Sequence, residues 1–472
     1  MRSSKVFLVL SVVLMVMLCS MSTFAQTEKL TLQQAVEMAL RADYQIKTDL
    51  NSLEKAKLAV KKAALDIFPQ ATIEEQYQYQ TNSDTYPNGF QIVVKETIPT
   101  PCNLYGRKIV SNIEAAMWEQ VVCEAAHQID QAEVIYNTYE DYLDILKIQQ
   151  LIKQHEAAAA TYQASNELAK KQLSLGKITK PDQLKVENYL NQAQYDLEKD
   201  RSDLEIAQAK LANQIGLDDL SGYQVEEIND DTGLAEVKLS ELQKQALQKR
   251  LEIQKNEIEL KKAQRIWAQT KNKELPSISV SYNDQSDQQS FGLSYDMLSG
   301  DFSWLAVRKD DSYRSDITSR SGDNSNDFFG NDQQYFTVKF SWSWGFGEAQ
   351  NSTKQAQYDV ENTKLALEKT KTDVALSVKQ AFNDYNVAVK AYDLNQKALV
   401  YYDKDVEIKE LRLQLGLITC GDLAEARQDA LEARISAIKS GYDRLLAGVK
   451  LKKVTGELYP FDHPPVLGGK HA

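Results

Sequence analysis

Two carboxylates on one helix face are the residues whose spacing first suggests chemistry. Asp422 and Glu425 follow Gly416 by six and nine residues, in "LQLGLITCGDLAEA". At i and i+3 they share a face. Together they concentrate negative charge and favour cations. Taken singly, Asp422 is a dipole partner near a helix N-terminus and Glu425 is a solvated surface charge. Little else in the chain suggests reactivity. His127, His155, His463 and His471 are scattered and outline no metal site. Beyond the N-terminal segment the cysteines are Cys102, Cys123 and Cys420, an odd set without Cys-x-x-Cys spacing. That is neither a disulfide framework nor a zinc site. No phosphate-binding loop, nucleophile elbow, zincin helix or dinucleotide fingerprint stands in a supporting context. The expectation is a protein that is not an enzyme and uses no cofactor or metal.

The carboxylates sit beside a phrase that occurs twice. "LSLGKITKPDQL" spans Leu173 to Leu184 and "LQLGLITCGDL" spans Leu413 to Leu423, with Gly176 and Gly416 240 positions apart. The same offset joins Val134 to Val374, Ala193 to Ala433, Leu211 to Leu451 and Gly216 to Gly456. Upstream the offset is 207, joining Leu32, Ile46 and Pro69 to Leu239, Ile253 and Pro276. The chain therefore reads as two tandem repeats, the second with an insertion of 33 residues between Pro276 and Ala356. The first repeat covers 26–216 and the second 238–456 with its insertion near 284–333. Residues 217–237 link them, and 457–472 form an irregular tail.

Each repeat has one internal order. A helical stretch, 30–67 or 238–273, ends at a proline that blocks continuation. A strand patch follows. A very long helix comes next, 107–174 or 349–414, and the glycine phrase breaks it. A last helix runs over 180–215 or 421–455. Gly176 and Gly416 supply the left-handed residue that closes a helix, and Thr179 and Thr419 are placed to cap the next. Val374, Val378, Phe382, Tyr385, Val389, Tyr392 and Leu399 recur at spacings of three and four, a coiled-coil seam. A helix of roughly 65 residues is about 100 Å long, more than a globular core needs.

Composition agrees. The chain has 472 residues, only 19 glycines and 9 prolines, and a net charge of −12. Scarce helix breakers predict a mostly helical protein, and acidity argues against a nucleic-acid partner. Residues 1–25 read as a signal peptide: Arg2 and Lys5, an apolar run from Val6 to Leu18, then "STFAQ". Lipidation at Cys19 is the poorer reading, because Leu18 precedes it. No later apolar run is long enough for a membrane helix, so membrane entry requires a β-barrel.

The strand patches supply that possibility. In "QYFTVKFSWSWGFG", Phe336, Val338, Phe340, Trp342, Trp344 and Phe346 fall on one face and polar residues on the other. This alternation marks a lipid-facing barrel strand. With 72–80, 90–98 and 278–283 it makes four strands per chain. Four strands cannot close a barrel, so the chain must oligomerise to span a membrane. The turn-rich stretches between paired strands, including most of the insertion, are expected to be external loops.

This order, given twice behind an export signal, resembles the TolC-like outer-membrane efflux proteins. The residues that carry the likeness are "LTLQQAVEMALRADYQI", "LDIFPQATIEEQYQYQ" and both glycine phrases. The resemblance implies a homotrimer with a twelve-stranded barrel in the outer membrane and a long α-helical barrel in the periplasm. Such a duct passively conducts substrates delivered by an inner-membrane transporter through a periplasmic adaptor, in a tripartite efflux pump or type I secretion system. By the same resemblance, Gly176, Ile178, Thr179, Gly416, Ile418 and Thr419 form hairpin tips on which the adaptor docks. Asp422 and Glu425 would line a pore constriction. The family's founding member latches its closed state with a Tyr and an Arg, and here Leu413 and Ile418 occupy those positions. The alternative from the residues alone is an exported coiled-coil scaffold or binding protein without a pore.

Overall fold

The computed structural model describes residues 28–66, 68–78, 89–99, 108–220, 223–228, 238–272, 277–285, 289–297, 300–309, 333–341 and 347–458. The expected signal segment, Pro276, Trp342, Trp344, Phe346 and the tail from 459 lie outside the described residues.

Each half of the sequence opens with two helices where one was expected. The first has β1 (Glu28–Leu30), α1 (Leu32–Ala42) and α2 (Tyr44–Leu65). Thr31 starts α1 through a capping box: the Gln34 amide donates to its hydroxyl at 3.2 Å, and its own amide donates to Gln34 Oε1 at 3.0 Å. Asp43 ends α1 by leaving helical dihedrals, and its carboxylate accepts the Ile46 amide at 2.9 Å, which begins α2. The strands β2 (Gln70–Gln78) and β3 (Gly89–Pro99) follow, then α3 (Lys108–Ser174), α4 (Lys180–Ile215) and β4 (Tyr223–Val225). The second half has α5 (Leu239–Lys249) and α6 (Leu251–Asn272), divided at Arg250, where ψ is 122°. It continues with β5 (Ser277–Gln285), β6 (Gln289–Asp296), β7 (Asp301–Lys309), β8 (Gln333–Ser341), α7 (Glu348–Gln414) and α8 (Cys420–Thr455).

Contacts divide the chain into two compact units, each drawing on both halves of the sequence. The first takes the described residues of 1–48, 128–250 and 373–462, and the second those of 49–127 and 251–372.

In the first unit, α3 and α4 pack Tyr142, Ile145, Leu146, Leu211 and Ile215 against Leu30, Ala35 and Ala39. A fully buried Leu or Ile of this kind contributes about 1.5–3 kcal/mol. The linker is not loose throughout: β4 pairs in parallel with β1, Leu30 opposite Val225. Tyr142 fastens that pair to α3. Its hydroxyl lies 2.8 Å from the carbonyl oxygens of Leu30 and Glu226 and accepts the Glu226 amide at 3.0 Å. Burial pushes this phenol up to about 12. Gly216 closes α4 at φ 77°, and a Cβ there would stand 2.7 Å from that of Ala42. Along α7 the seam residues Val374 and Val378 are buried, and Phe382, Tyr385, Val389, Tyr392 and Leu399 are half-buried. A second apolar stripe on α7, Val387, Leu394, Tyr401 and Ile408, recurs every seven residues and is exposed. On α4, Leu184, Tyr195 and Ile206 recur every eleven residues and are exposed as well.

The second unit holds a six-stranded antiparallel sheet in the order β2-β3-β7-β6-β5-β8. This corrects the expected four strands. β6 and β7 lie in the insertion that composition assigned to external loop. The reason is pairing: "QSFGLSYD" alternates, "DFSWLAVRK" does so in part, and each finds antiparallel partners on both sides. The register aligns Ala71, Glu96, Trp304, Leu293, Tyr282 and Phe336 in one row across all six strands.

Candidate functional site

The two glycine turns are built alike in the first unit. Gly176 has φ 66° and Gly416 has φ 73°. Around each, two amides close the preceding helix: Lys177 donates to the Gln172 carbonyl and Leu417 to the Arg412 carbonyl at 2.9 Å, and Gly176 donates to the Leu173 carbonyl and Gly416 to the Leu413 carbonyl at 3.0 Å. This is the paired-bond C-terminal motif that a left-handed glycine permits. The returning helices start on capping boxes. Thr179 receives the Asp182 amide and Thr419 the Asp422 amide, at 3.4 and 3.2 Å. In return the Asp182 and Asp422 carboxylates accept the Thr179 and Thr419 amides at 3.1 and 2.9 Å.

Asp422 therefore has a defined structural task. The Thr419 amide, then its hydroxyl, hold the Asp422 carboxyl below the usual Asp range. Glu425 accepts a hydrogen bond from Lys185 of α4, the residue at the matching position of the first turn. That contact raises the Lys185 ammonium, against the opposing effect of burial. The negative face does not stop there. Asp429 and Glu432 continue it along α8 at spacings of four and three. Burial, then the charges of Glu425 and Glu432, push the Asp429 carboxyl up. So α8 carries four carboxylates on one face, the first used in a cap and the second paired with a lysine. The sequence pattern D-x-x-E-x-x-x-D-x-x-E held Asp429 and Glu432 in plain sight, but only the structure ties the ionisation of Asp429 to its acidic neighbours.

The six tip residues divide by burial. Thr179 and Thr419 use their hydroxyls in caps. Ile178 packs onto a core of Tyr162, Val186, Cys420 and Ala424 from α3, α4 and α8, and Ile418 is half-buried. Gly176 and Gly416 have open space where a Cβ would stand. The apolar surface at the tips comes instead from leucines that motif reasoning passed over: Leu175 is 69 % exposed, Leu415 74 % and Leu417 70 %. Their signal was a leucine on each side of Gly416, where a solvated turn prefers polar residues. The tip is held by Arg427, which donates to Glu410 at 2.7 Å and to the Ser165 hydroxyl at 3.0 Å. Among the described residues, no group of three or more His, Cys, Asp or Glu is placed to hold a metal ion.

In the second unit, Phe336, Val338 and Phe340 are 67, 59 and 61 % exposed on one face of β8. The register puts Ile73, Tyr77, Ile92 and Phe291 on the same face of the sheet, all exposed. Among the described residues, no helix is long and apolar enough to cross a membrane.

Known proteins share this architecture. Residues 242–457 match the family model for outer membrane efflux proteins. Among solved structures, the outer membrane protein VceC from Vibrio cholerae aligns with a TM-score of 0.70 at 13 % identity, over 90 % of this chain and 96 % of its own. A membrane protein from Pseudomonas aeruginosa aligns at 0.70 and 16 % identity, over 90 % and 93 %. The CmeC outer membrane channel of Campylobacter jejuni aligns at 0.66 and 15 % identity, over 91 % and 86 %. A search of curated proteins by sequence returns no match. Residues 242–457 are thus similar to the outer membrane efflux proteins, and the chain as a whole shares the fold of the solved outer-membrane channels.

Proposed function

We propose that copies of this chain assemble, as a homotrimer, into an outer-membrane export duct that conducts substrates passively. The observation that carries this reading is the pair of uncovered apolar stripes. Val387, Leu394, Tyr401 and Ile408 on α7 keep a strict seven-residue period yet face solvent. Such a stripe is a coiled-coil seam that wants a partner helix. On α4, Leu184, Tyr195 and Ile206 leave a second apolar stripe uncovered, whose eleven-residue period follows the opposite supercoil hand. The sheet points the same way, since an apolar face with two free edges is unsuited to water and to lipid unless copies close it. These features speak against a pore-less scaffold.

In this reading the sheet sits in the outer membrane, with Phe336, Val338 and Phe340 toward lipid, and the helices stand in the periplasm. The two turns form the inner end. Leu175, Leu415 and Leu417, around Gly176, Ile178, Thr179, Gly416, Ile418 and Thr419, offer an apolar surface to a periplasmic adaptor that brings an inner-membrane transporter. Asp422 and Glu425 head an acidic ring at the constriction, which Asp429 and Glu432 extend. The Lys185 ammonium offsets part of the charge that each Glu425 lends to the ring. Leu413 and Ile418 stand at the positions of the family's polar latch, so a closed state needs other contacts.

The test is purification from outer membranes in mild detergent, mass determination, and single-channel recording of the wild type beside Asp422→Asn/Glu425→Gln. A trimer with a small cation-selective conductance that rises or loses selectivity in the variant supports duct and constriction together. A trimer whose conductance ignores the variant keeps the duct and moves the gate. A monomer that never inserts removes the duct.

A further inference from the structure

The insertion raises a separate question. A loop added to a barrel protein ordinarily stays outside the wall, and this one does not. β5, β6 and β7 form a continuous antiparallel meander, and β7 pairs onward with β3 over nine positions, Gln91–Lys309 to Pro99–Asp301. The new hairpin therefore separates the strands of the first half from β5 and β8. It also carries the barrel code. Phe291, Leu293 and Tyr295 of β6 and Phe302 and Trp304 of β7 fall, by register, on the face that holds Phe336 and Val338. Ser290, Gly292, Ser294 and Ser303 fall on the other, together with Leu305 and Val307, with a 2.7 Å hydrogen bond between the Ser294 and Ser303 hydroxyls. The strands contain eight and nine residues, against the ~9–11 that cross a bilayer.

We infer that the inserted hairpin is part of the membrane wall, so that each chain contributes six strands and three chains close an eighteen-stranded barrel. The inference rests on the trimer reading above. Closure is geometrically consistent. The six strands alternate in direction, so the free edges β2 and β8 run antiparallel to one another, and each has nine residues. The β2 edge of one copy can thus continue the ladder from the β8 edge of the next without a reversed strand, and the total is even, as closed antiparallel barrels require. In lipid both edges must be paired. Barrel diameter grows roughly linearly with strand number, so eighteen strands give a mouth about 1.5-fold wider than twelve. The insertion thereby sets the size of the outer opening.

Two measurements test this in the full chain. The first is Val93→Cys/Val307→Cys in a background with Cys102, Cys123 and Cys420 changed to Ser. These positions are register partners of β3 and β7. In outer-membrane trimers an oxidant should form the disulfide within one chain and protect both thiols from alkylation. The second is a strand count by electron cryomicroscopy of the trimer in lipid nanodiscs, beside a chain lacking residues 286–309. Eighteen strands in the full chain, and polymer exclusion about 1.5-fold narrower in the shortened one, are expected. A trimer whose wall has twelve strands, with Val93→Cys and Val307→Cys unlinked, overturns the inference and leaves the duct. Failure to trimerise at all overturns the duct reading, and this one with it.

Discussion

The two helical turns of the first unit share a backbone and differ in what they do with it. α4 and α8 each have 36 residues, a capping Thr, an Asp at the third position and a left-handed Gly at the end. Their side chains have diverged. The first turn presents Lys177, Pro181 and Lys185, and the second presents Leu417, Gly421 and Glu425 at the matching positions. Near its start α8 buries Cys420, Gly421, Leu423, Ala424 and Ala426, whereas α4 buries only Gln183 and Val186 over the corresponding stretch. Small residues let α8 approach its neighbours closely: at Gly421 a Cβ would stand 3.5 Å from the Asp182 carboxylate. On one frame the chain thus builds a basic turn and an acidic, closely packed turn that pair with each other. What the two share is what the backbone needs, and their faces differ.

The largest expected contrast lies midway along the hairpins. In the first, His155 Nδ1 and Asp200 Oδ2 are 2.7 Å apart, both nearly buried. The matching positions of the second hold Asn395, which donates to the Ser436 carbonyl at 3.2 Å, and the buried Ser440. Asp200→Ala should cost about 1–3 kcal/mol, because it strands a buried polar partner. Ser440→Ala should cost about 1 kcal/mol or less. Thermal melting of the two variants in detergent checks this, and equal losses would erase the asymmetry. The caps should behave alike: Thr179→Ala and Thr419→Ala should each cost about 1 kcal/mol, read as limited proteolysis at 170–185 and 410–425.

The smallest effect on stability, and the most informative for transport, concerns Lys185 and Glu425. The pair is exposed, so Lys185→Gln should change stability by no more than about 0.5 kcal/mol. It should nonetheless raise cation selectivity, and Glu425→Gln should lower it, with ion-permeability ratios as the readout. Acidification should strip the acidic face of α8 in order. Asp429, raised by burial and by its acidic neighbours, loses its charge above the ordinary Asp value of 3.8, and Asp422, held low by Thr419, only below it. For stability the signs oppose each other. The strain at Asp429 is relieved as pH falls through its raised folded value. The contribution of Asp422 is present above 3.8 and lost as pH falls through its depressed folded value. Selectivity and melting temperature measured down a pH series separate the two carboxyls.

Much of this was open to reading in the residues. Thr179, Asp182, Gly216 and their partners 240 positions on act through local backbone hydrogen bonds, and those need only near neighbours in sequence. The strand at Phe336 to Phe340 was legible because its alternation is strict. The break at Asp43 was missed because a good helical pattern runs through it, and a single Asx-type hydrogen bond to Ile46 overrides the pattern. β6 and β7 were missed because Ser, Gly and Asp dilute their alternation to the level of a loop, and short strands gain their stability from partners rather than propensity.

The sequence by itself determined the helices, their caps and turns, and the recurrence of its elements. All of these follow from interactions within a few residues, and from a spacing that needs no coordinates. Tertiary structure decided the rest: that Lys185 meets Glu425 across 240 positions, that Asp422 and Asp429 ionise differently, and that the insertion enters the sheet. Each depends on distance between groups remote in the chain, where Coulomb interaction, burial and strand register act, and none of those is encoded in any one segment.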